Sequence, residues 1–161
     1  MIVIALGANL PSPAGAPRQT LSAALDQLSR QRIRIAALSP FYRTPAWPDP
    51  ADPAYVNAVA RIETDYSPTE LMALLHRTEE HFGRMRMAKN APRTLDLDLI
   101  DYEGRIETGP PVLPHPRLAE RAFVLVPFAQ IAHDWRHPAT GMSIADLLAA
   151  LPRDAKPIEK I

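Results

Sequence analysis

Two aspartates stand two residues apart in a short apolar stretch, in a pattern that could hold a metal ion. Asp96 and Asp98 alternate with leucines, which is typical of a β-strand, so both carboxylates are predicted to project from one face. Like charges side by side on a sheet repel each other. A hard cation such as Mg²⁺ removes that repulsion, and carboxylate pairs with substrate phosphates are its usual environment. The alternative is a solvated polar face with two acids that bind nothing.

Three arginines lie near these acids in the sequence, namely Arg84, Arg86 and Arg93. A guanidinium group makes fork-shaped contacts with phosphate oxygens. Acids for a metal and arginines for phosphates are the two halves of a phosphoryl-transfer site. The competing explanation is a set of surface Asp–Arg ion pairs, which contribute little stability. Neither a P-loop nor a Rossmann glycine motif occurs, so neither of those nucleotide sites is indicated.

The composition is typical of a small globular protein. With 161 residues, of which 47% are hydrophobic, we expect a single domain over residues 1–161 with its own core. The net charge of zero argues against general nucleic-acid binding. The absence of cysteine excludes disulfides and cysteine-ligated metals. The first residues resemble a strand rather than a signal peptide, and the apolar run 122–129 is too short for a bilayer, so we expect no membrane contact and a cytoplasmic location.

Strands and helices that could position these side chains are mixed along the chain without regular βαβ alternation. This mixture favours an α+β fold with a largely antiparallel sheet. The predicted strands cover residues 2–6, 33–42, 55–63, 93–101 and 123–126, and the predicted helices cover residues 15–30, 67–82 and 143–148.

Local signals define several of these elements. In residues 55–63, Tyr55 and Asn57 fall on the more polar of two alternating faces. Four prolines in residues 44–53 exclude a helix or a central strand there and predict a surface loop. Ser67 begins a capping box for the following helix. On that helix, His76 and Glu79 fall outside the predicted buried stripe.

An ordered set of motifs extends from residue 5 to about residue 132. The motifs are Ala5-Leu6-Gly7-Ala8-Asn9-Leu10, Phe41-Tyr42-Arg43-Thr44-Pro45, Tyr55-Val56-Asn57-Ala58, Phe82-Gly83-Arg84-Met85-Arg86, Pro92-Arg93-Thr94-Leu95-Asp96-Leu97-Asp98, Pro114-His115-Pro116-Arg117 and Arg121-Ala122-Phe123-Val124-Leu125. In this set the chain resembles the 6-hydroxymethyl-7,8-dihydropterin pyrophosphokinase family of folate biosynthesis. It departs from many members at Asn90-Ala91, where they carry Trp-Gly in a slightly longer loop, and at His76, where others have glutamine.

The resemblance implies a ferredoxin-like α+β fold, with a largely antiparallel sheet flanked by helices. It also implies transfer of an intact diphosphoryl group from ATP to the hydroxymethyl group of the pterin, which leaves AMP. The expected partners are these two small molecules, and a monomer is expected. Two magnesium ions would be held by Asp96 and Asp98, and the catalytic residues would be these acids with Arg84, Arg86 and Arg93. The ATP-side residues would be His76, Glu79, Arg84, Arg86, Arg93, Leu99, His115 and Arg121. The pterin-side residues would be Thr44, Pro45, Trp47, Tyr55, Asn57, Asp96 and Phe123.

Two of these residues have simpler explanations when the resemblance is set aside. Phe123 would be a core side chain in an apolar run, and His115 would be a structural loop histidine. Two other functions also remain open at this level: a different magnesium-dependent nucleotide transferase, and a non-catalytic ferredoxin-like binding module.

Overall fold

In the part of the chain that the structure describes, an antiparallel sheet of six strands forms the centre of the fold, and helices pack on both of its faces. The computed structural model describes residues 1–46, 49–85, 91–152 and 158–161. Within these ranges no helix has the length and hydrophobicity needed to cross a bilayer. The elements are β1 (Ile2–Ala8), α1 (Pro17–Ser29), β2 (Arg34–Leu38), β3 (Tyr42–Thr44), β4 (Tyr55–Glu63), α2 (Pro68–His81), β5 (Asp96–Tyr102), a 3₁₀ turn (Leu118–Glu120), α3 (Ala122–Ile131), α4 (Ile144–Ala149) and β6 (Glu159–Lys160).

The strand order confirms the predicted fold class. Along the sheet the order is β5-β1-β4-β3-β6, and β2 also pairs with β4. Every strand pair is antiparallel. The strands β1, β2, β4 and β5 therefore lie in the order β5-β1-β4-β2, with α1 and α2 as the crossovers. This is the βαββαβ arrangement of ferredoxin-like folds.

Two hydrophobic cores lie on opposite faces of the sheet. Successive side chains of a strand point to opposite faces of the sheet. In β1 the side chains on both faces are buried. Ile4 and Leu6 pack beneath α1 and α2, whereas Val3 and Ala5 pack with α3 and α4. The central strand is consequently apolar on both sides, and the polar residues of a site must lie where α3 and α4 leave the second face uncovered.

The capping box at the start of α2 acts as predicted, and a glycine follows its other end. The Ser67 Oγ accepts a hydrogen bond from the Glu70 N–H, and the Glu70 carboxylate accepts one from the Ser67 N–H at 2.8 Å. At the other end Gly83 adopts a φ of +81°, a left-handed conformation that glycine takes without steric cost.

The predicted strand over residues 33–42 is wrong as a single element, because it is interrupted at Ser39-Pro40. The Ser39 Oγ accepts a hydrogen bond from the Val59 N–H at 3.0 Å, and Pro40 has no N–H to continue the ladder. The chain consequently forms two strands, and β2 pairs with the far half of β4 while β3 pairs with residues Tyr55, Val56 and Asn57.

The predicted buried strand over residues 123–126 is also wrong, because this run belongs to α3. A short apolar run fits a strand or a buried helix equally well by periodicity. In the structure Val124, Leu125 and Phe128 are buried on one face of the helix. The predicted strand over residues 93–101 exists, but it begins only at Asp96.

Candidate active site

A cleft of about 460 Å³ opens on the second face of the sheet, beside the first turn of α3. Its lining comes from β1, β3, β4 and β5, from residues 117–124 and from residues after α4. The residues predicted for a substrate or a metal that line it are Thr44, Pro45, Tyr55, Asn57, Arg93, Asp96, Asp98, Arg121 and Phe123. Side chains expected for the pterin and for the phosphates thus share one cavity.

Asp96 and Asp98 lie on the same face of β5, as the alternating pattern predicted. They stand opposite Gly7 and Ala5 of β1 in the antiparallel ladder. Asp96 forms ion pairs with Arg84, at 2.7 Å from Oδ1 to Nη1, and with Arg93, at 3.1 Å from Oδ2 to Nη1. The arginines on either side of the 85–92 segment therefore converge on one carboxylate.

Asp98 has a separate pair of basic neighbours. Its Oδ2 lies 2.5 Å from Nη1 of Arg121 and 3.9 Å from Nε2 of His115. Both of these residues follow the two cis prolyl bonds after β5, far from Asp98 in sequence. Folding therefore completes a cluster of two acids and four basic side chains, which has the composition needed to bind a polyphosphate.

The donor set also bears on which metal the acids could hold. In the part of the chain that the structure describes, no group of three or more His, Cys, Asp or Glu residues could hold a metal ion. A cage built from protein ligands alone is therefore absent from the described residues. Two carboxylates on one strand face do fit Mg²⁺, which is bound through one or two carboxylates together with substrate phosphates and water.

Glu79 lies in the interior, and its predicted place outside the buried stripe of α2 is wrong. Only 2% of its surface is exposed. Its Oε1 accepts a hydrogen bond from the Leu97 N–H at 2.7 Å and forms an ion pair with Arg84. Burial raises the pKa of this carboxyl to about 7, although the Leu97 N–H and Arg84 oppose the rise. Glu79 thus joins α2 to the edge strand β5 and holds Arg84 beside the acids.

Backbone hydrogen bonds fix the position and the tautomer of His115. Its N–H donates to the Ile100 carbonyl of β5 at 2.9 Å, and its Nδ1 accepts from the Arg117 N–H at 3.1 Å. An accepting Nδ1 carries no hydrogen, so the hydrogen of the neutral ring lies on Nε2. Burial lowers the pKa of His115, while Asp98 partly opposes the effect. At neutral pH the ring therefore presents an N–H donor toward Asp98.

The pterin-side residues are organised by strand register. Tyr42 and Thr44 of β3 stand opposite Asn57 and Tyr55 of β4, so all four side chains share one face. The Asn57 amide is buried and donates to the Thr44 hydroxyl at 2.8 Å. A Cβ atom on Gly7 would lie only 3.0 Å from the Asn57 Oδ1. Glycine at this position, for which no role was predicted, therefore leaves room for the amide.

Phe123 lies in the first turn of α3 and lines the cleft. Its surface is 38% exposed, so the alternative of a core phenylalanine is wrong. The Arg121 guanidinium carbon lies 5.7 Å from the centroid of its ring. Tyr55 lines the same cleft, where burial raises the pKa of its hydroxyl. Two aromatic residues therefore border the cavity, as a flat ring system requires.

Seven predicted site residues are not placed by the structure in the cleft lining, namely Glu79, Arg84 and His115, whose contacts are given above, and Leu99, His76, Trp47 and Arg86. The Leu99 side chain is 3% exposed and belongs to the core beneath α1 and α2, so a contact with ATP would have to come from its backbone on the edge strand. His76 is half-buried on α2, outside the lining of the cleft. Trp47 and Arg86 lie outside the described residues.

Asn9 was not assigned a role from the sequence, yet it connects the two halves of the site. Its Oδ1 accepts a hydrogen bond from the Arg93 N–H at 2.8 Å, and its Nδ2 donates to the Pro53 carbonyl at 3.0 Å. Its own N–H donates to the Arg93 carbonyl at 3.1 Å. One buried side chain thus fixes both the arginine segment before β5 and the end of the proline-rich loop. The signal available in the sequence was its place in the motif that begins at Ala5.

Comparisons with known proteins converge on one family. Residues 3–133 match the family model described as 7,8-dihydro-6-hydroxymethylpterin-pyrophosphokinase. The chain is 39% identical over 148 residues to the 2-amino-4-hydroxy-6-hydroxymethyldihydropteridine pyrophosphokinase of Synechocystis sp., covering 91% of this chain and 73% of that protein. It is 37% identical over 153 residues to the protein of the same name from Pseudomonas aeruginosa, covering 94% and 91%. It is also 33% identical to the folic acid synthesis protein fol1 of Pneumocystis carinii, covering 98% of this chain but 21% of that protein.

Proposed function

Because the chain belongs to the 7,8-dihydro-6-hydroxymethylpterin-pyrophosphokinase family, we propose that its cleft binds ATP and the pterin side by side. The reaction is transfer of the pyrophosphoryl group of ATP to the hydroxymethyl group of 6-hydroxymethyl-7,8-dihydropterin in folate biosynthesis. The observation that carries the site proposal is the convergence of Asp96, Asp98, Arg93 and Arg121 on the cavity that Asn57 and Phe123 also line. Family membership decides against both alternative functions.

The ATP half of the proposed site consists of basic side chains around the two acids. Arg84 and Arg93 would contact the phosphates from the side of Asp96, and Arg121 from the side of Asp98. The Nε2–H of His115 adds a neutral donor beside Arg121. As the β-phosphorus is attacked, negative charge develops on the transferring group and on the leaving AMP oxygen. Donors held in place before the reaction stabilise that charge without reorganising.

The metal requirement of the site is a further part of the proposal. We assign Asp96 and Asp98 as the residues that would hold two magnesium ions, and the pair of carboxylates on one strand face supports this assignment. Bound Mg²⁺ would offset phosphate charge and lower the pKa of the attacking hydroxyl. The protein's own contribution is orientation, because Arg84 is held by Glu79 and Arg93 is held by Asn9.

The pterin half of the proposed site combines amide recognition with stacking. The Asn57 Nδ2 has one hydrogen directed to Thr44, which fixes the orientation of the planar amide. The remaining donor and acceptor of that amide suit the polar edge of a pterin, which carries both kinds of group. Phe123 and Tyr55 offer aromatic faces to the ring, and the chain at Pro45 offers backbone groups at the cleft wall.

The experiment that tests the metal and phosphate assignments measures AMP formation with ATP, magnesium and the hydroxymethyl pterin. Asp96→Asn and Asp98→Asn should each reduce turnover at least about 100-fold, because each removes the negative charge of a metal ligand, while pterin affinity should fall much less than turnover. Asp26→Asn is the matched control, since Asp26 is exposed on α1, and it should turn over like the wild type. Near-normal turnover of either acid variant would contradict the metal assignment.

Substrate identity has a separate readout. AMP should appear only when the pterin is present, whereas a nucleotidyltransferase would release inorganic pyrophosphate instead. We also propose that the enzyme acts as a monomer, and that it works in the cytoplasm, where its co-substrate ATP is available. Sedimentation at the concentration of the assay would test the first statement, and cell fractionation would test the second.

A further inference from the structure

The strand β6 extends the sheet next to the pterin-side residues. Lys160 stands opposite Tyr42, and Glu159 stands opposite Arg43. An ion pair between Arg43 and Glu159, at 3.7 Å, shows that these two side chains share a face. One step further in the same register, Ile158 falls opposite Thr44. Directly opposed residues of an antiparallel pair point to the same face, so Ile158 lies on the face of Thr44 and Asn57.

The cleft lining confirms this position for Ile158 and adds two apolar neighbours. Leu151 and Pro152, which follow α4, line the same cavity together with Ile158. All three residues lie beyond residue 133, where the match to the family model ends. This side of the cavity is therefore formed by a part of the chain to which the family match assigns nothing.

We propose that Ile158, with Leu151 and Pro152, forms an apolar wall of the pterin subsite and contacts the bound ring system. This inference rests on the proposed pterin end of the cleft. Asn57 and Thr44 on the sheet would form hydrogen bonds with the polar edge of the pterin, whereas the wall would make apolar contacts with it. Apolar contact removes water from the ring and strengthens binding roughly in proportion to the area covered. Ile158 is thus a specificity-determining residue for the pterin and not for ATP.

The wall is tested by comparing the two ligands in one set of variants. Ile158→Ala removes three carbon atoms from the cavity wall and should weaken binding of the hydroxymethyl pterin about tenfold, which is the discrimination typical of lost apolar contact in a pocket. The dissociation constant of an ATP analogue with an α,β-methylene bridge, measured with magnesium by calorimetry, should stay within about twofold. Pterin binding is measured in the presence of saturating analogue.

Two control variants distinguish loss of the wall contact from the loss of any isoleucine side chain and from a disturbance of β6 pairing. Ile106→Ala makes the same chemical change at a side chain that is 61% exposed and outside the cleft lining. Glu159→Ala changes the residue that follows Ile158 along the chain and points to the opposite face of the sheet, and it removes the ion pair with Arg43. Both controls should bind the pterin within about twofold of the wild type. A Glu159→Ala variant that loses as much pterin affinity as Ile158→Ala would overturn the proposal, because strand pairing would then explain the result.

A further pair of variants distinguishes failure of the wall from failure of the proposed site. Deletion of residues 158–161 should weaken pterin binding at least as much as Ile158→Ala, with analogue binding retained. If Asn57→Ala weakens pterin binding and Ile158→Ala does not, the wall proposal is wrong and the pterin end stands. If Asn57→Ala leaves pterin binding unchanged, the pterin end itself is wrong. Equal loss of both ligands in Ile158→Ala would also overturn the wall.

Discussion

The buried carboxyl of Glu79 makes the stability of this protein depend on pH in a direction that can be worked out from the structure. The side chain touches the Leu97 N–H and Arg84, and water reaches almost none of it. Glu79→Gln keeps an oxygen that can accept from Leu97 and removes the titrating proton. The comparison of this variant with the wild type therefore isolates the titration of one group.

The sign of the effect follows from the raised pKa. The ordinary pKa of 4.5 applies in the unfolded chain, and burial raises the pKa to about 7 in the folded protein. Between these values the folded protein binds a proton that the unfolded chain has lost. The free energy of unfolding therefore falls as pH rises through this window, and the contribution of Glu79 is fully lost above about pH 7. Each unit of pKa difference is equivalent to about 1.4 kcal/mol, so the free energy of unfolding should fall by about 3 kcal/mol between the two pKa values.

Urea unfolding at several pH values between about 4.5 and 8, followed by tryptophan fluorescence, gives the free energies of unfolding. Trp135 is buried against Phe128 and reports on the core. The wild type should lose about 3 kcal/mol more than Glu79→Gln across the window. Glu80→Gln, at an exposed neighbouring position, should follow the wild type. Parallel pH profiles for the wild type and Glu79→Gln would refute the reasoning, because Glu79 would then titrate alike in both states.

Three further changes have defined outcomes. Gly7→Ala places a Cβ 3.0 Å from the Asn57 Oδ1, so calorimetry should show pterin affinity reduced about tenfold with ATP-analogue affinity retained; an unchanged pterin affinity would contradict the role of that glycine. Trp135→Phe removes the N–H that donates to the buried Asp101 carboxyl at 3.1 Å. Urea unfolding should show that the free energy of unfolding falls by about 1–3 kcal/mol. A decrease below about 0.5 kcal/mol would contradict a stabilising role for this hydrogen bond. Ser67→Ala removes the helix cap and should lower stability by about 1 kcal/mol with turnover unchanged, whereas an unaltered stability would show that the cap is dispensable.

Features that depend on neighbours along the chain could be predicted from the sequence. The alternation in residues 55–63 predicted β4 to the residue, and the capping box at Ser67 predicted the start of α2. The shared face of Asp96 and Asp98 follows from strand periodicity alone. The ordered motifs indicated most of the residues that meet in the cleft. A motif specifies which side chain stands at each position, although it does not specify where that side chain lies in the folded protein.

Features that depend on contacts between distant segments were decided only by the tertiary structure. The apolar run in α3 fits a strand or a helix until its packing partners are known. Glu79 is buried because β5 passes over it and supplies an N–H, which the periodicity of α2 cannot indicate. The pairing of Arg121 with Asp98, and the presence of Ile158 and Thr44 in one cleft lining, likewise depend on how remote segments are brought together. Local sequence determined which side chains share a strand or helix face, whereas burial, pKa and the meeting of the two half-sites required the folded chain, since each depends on groups far away in sequence.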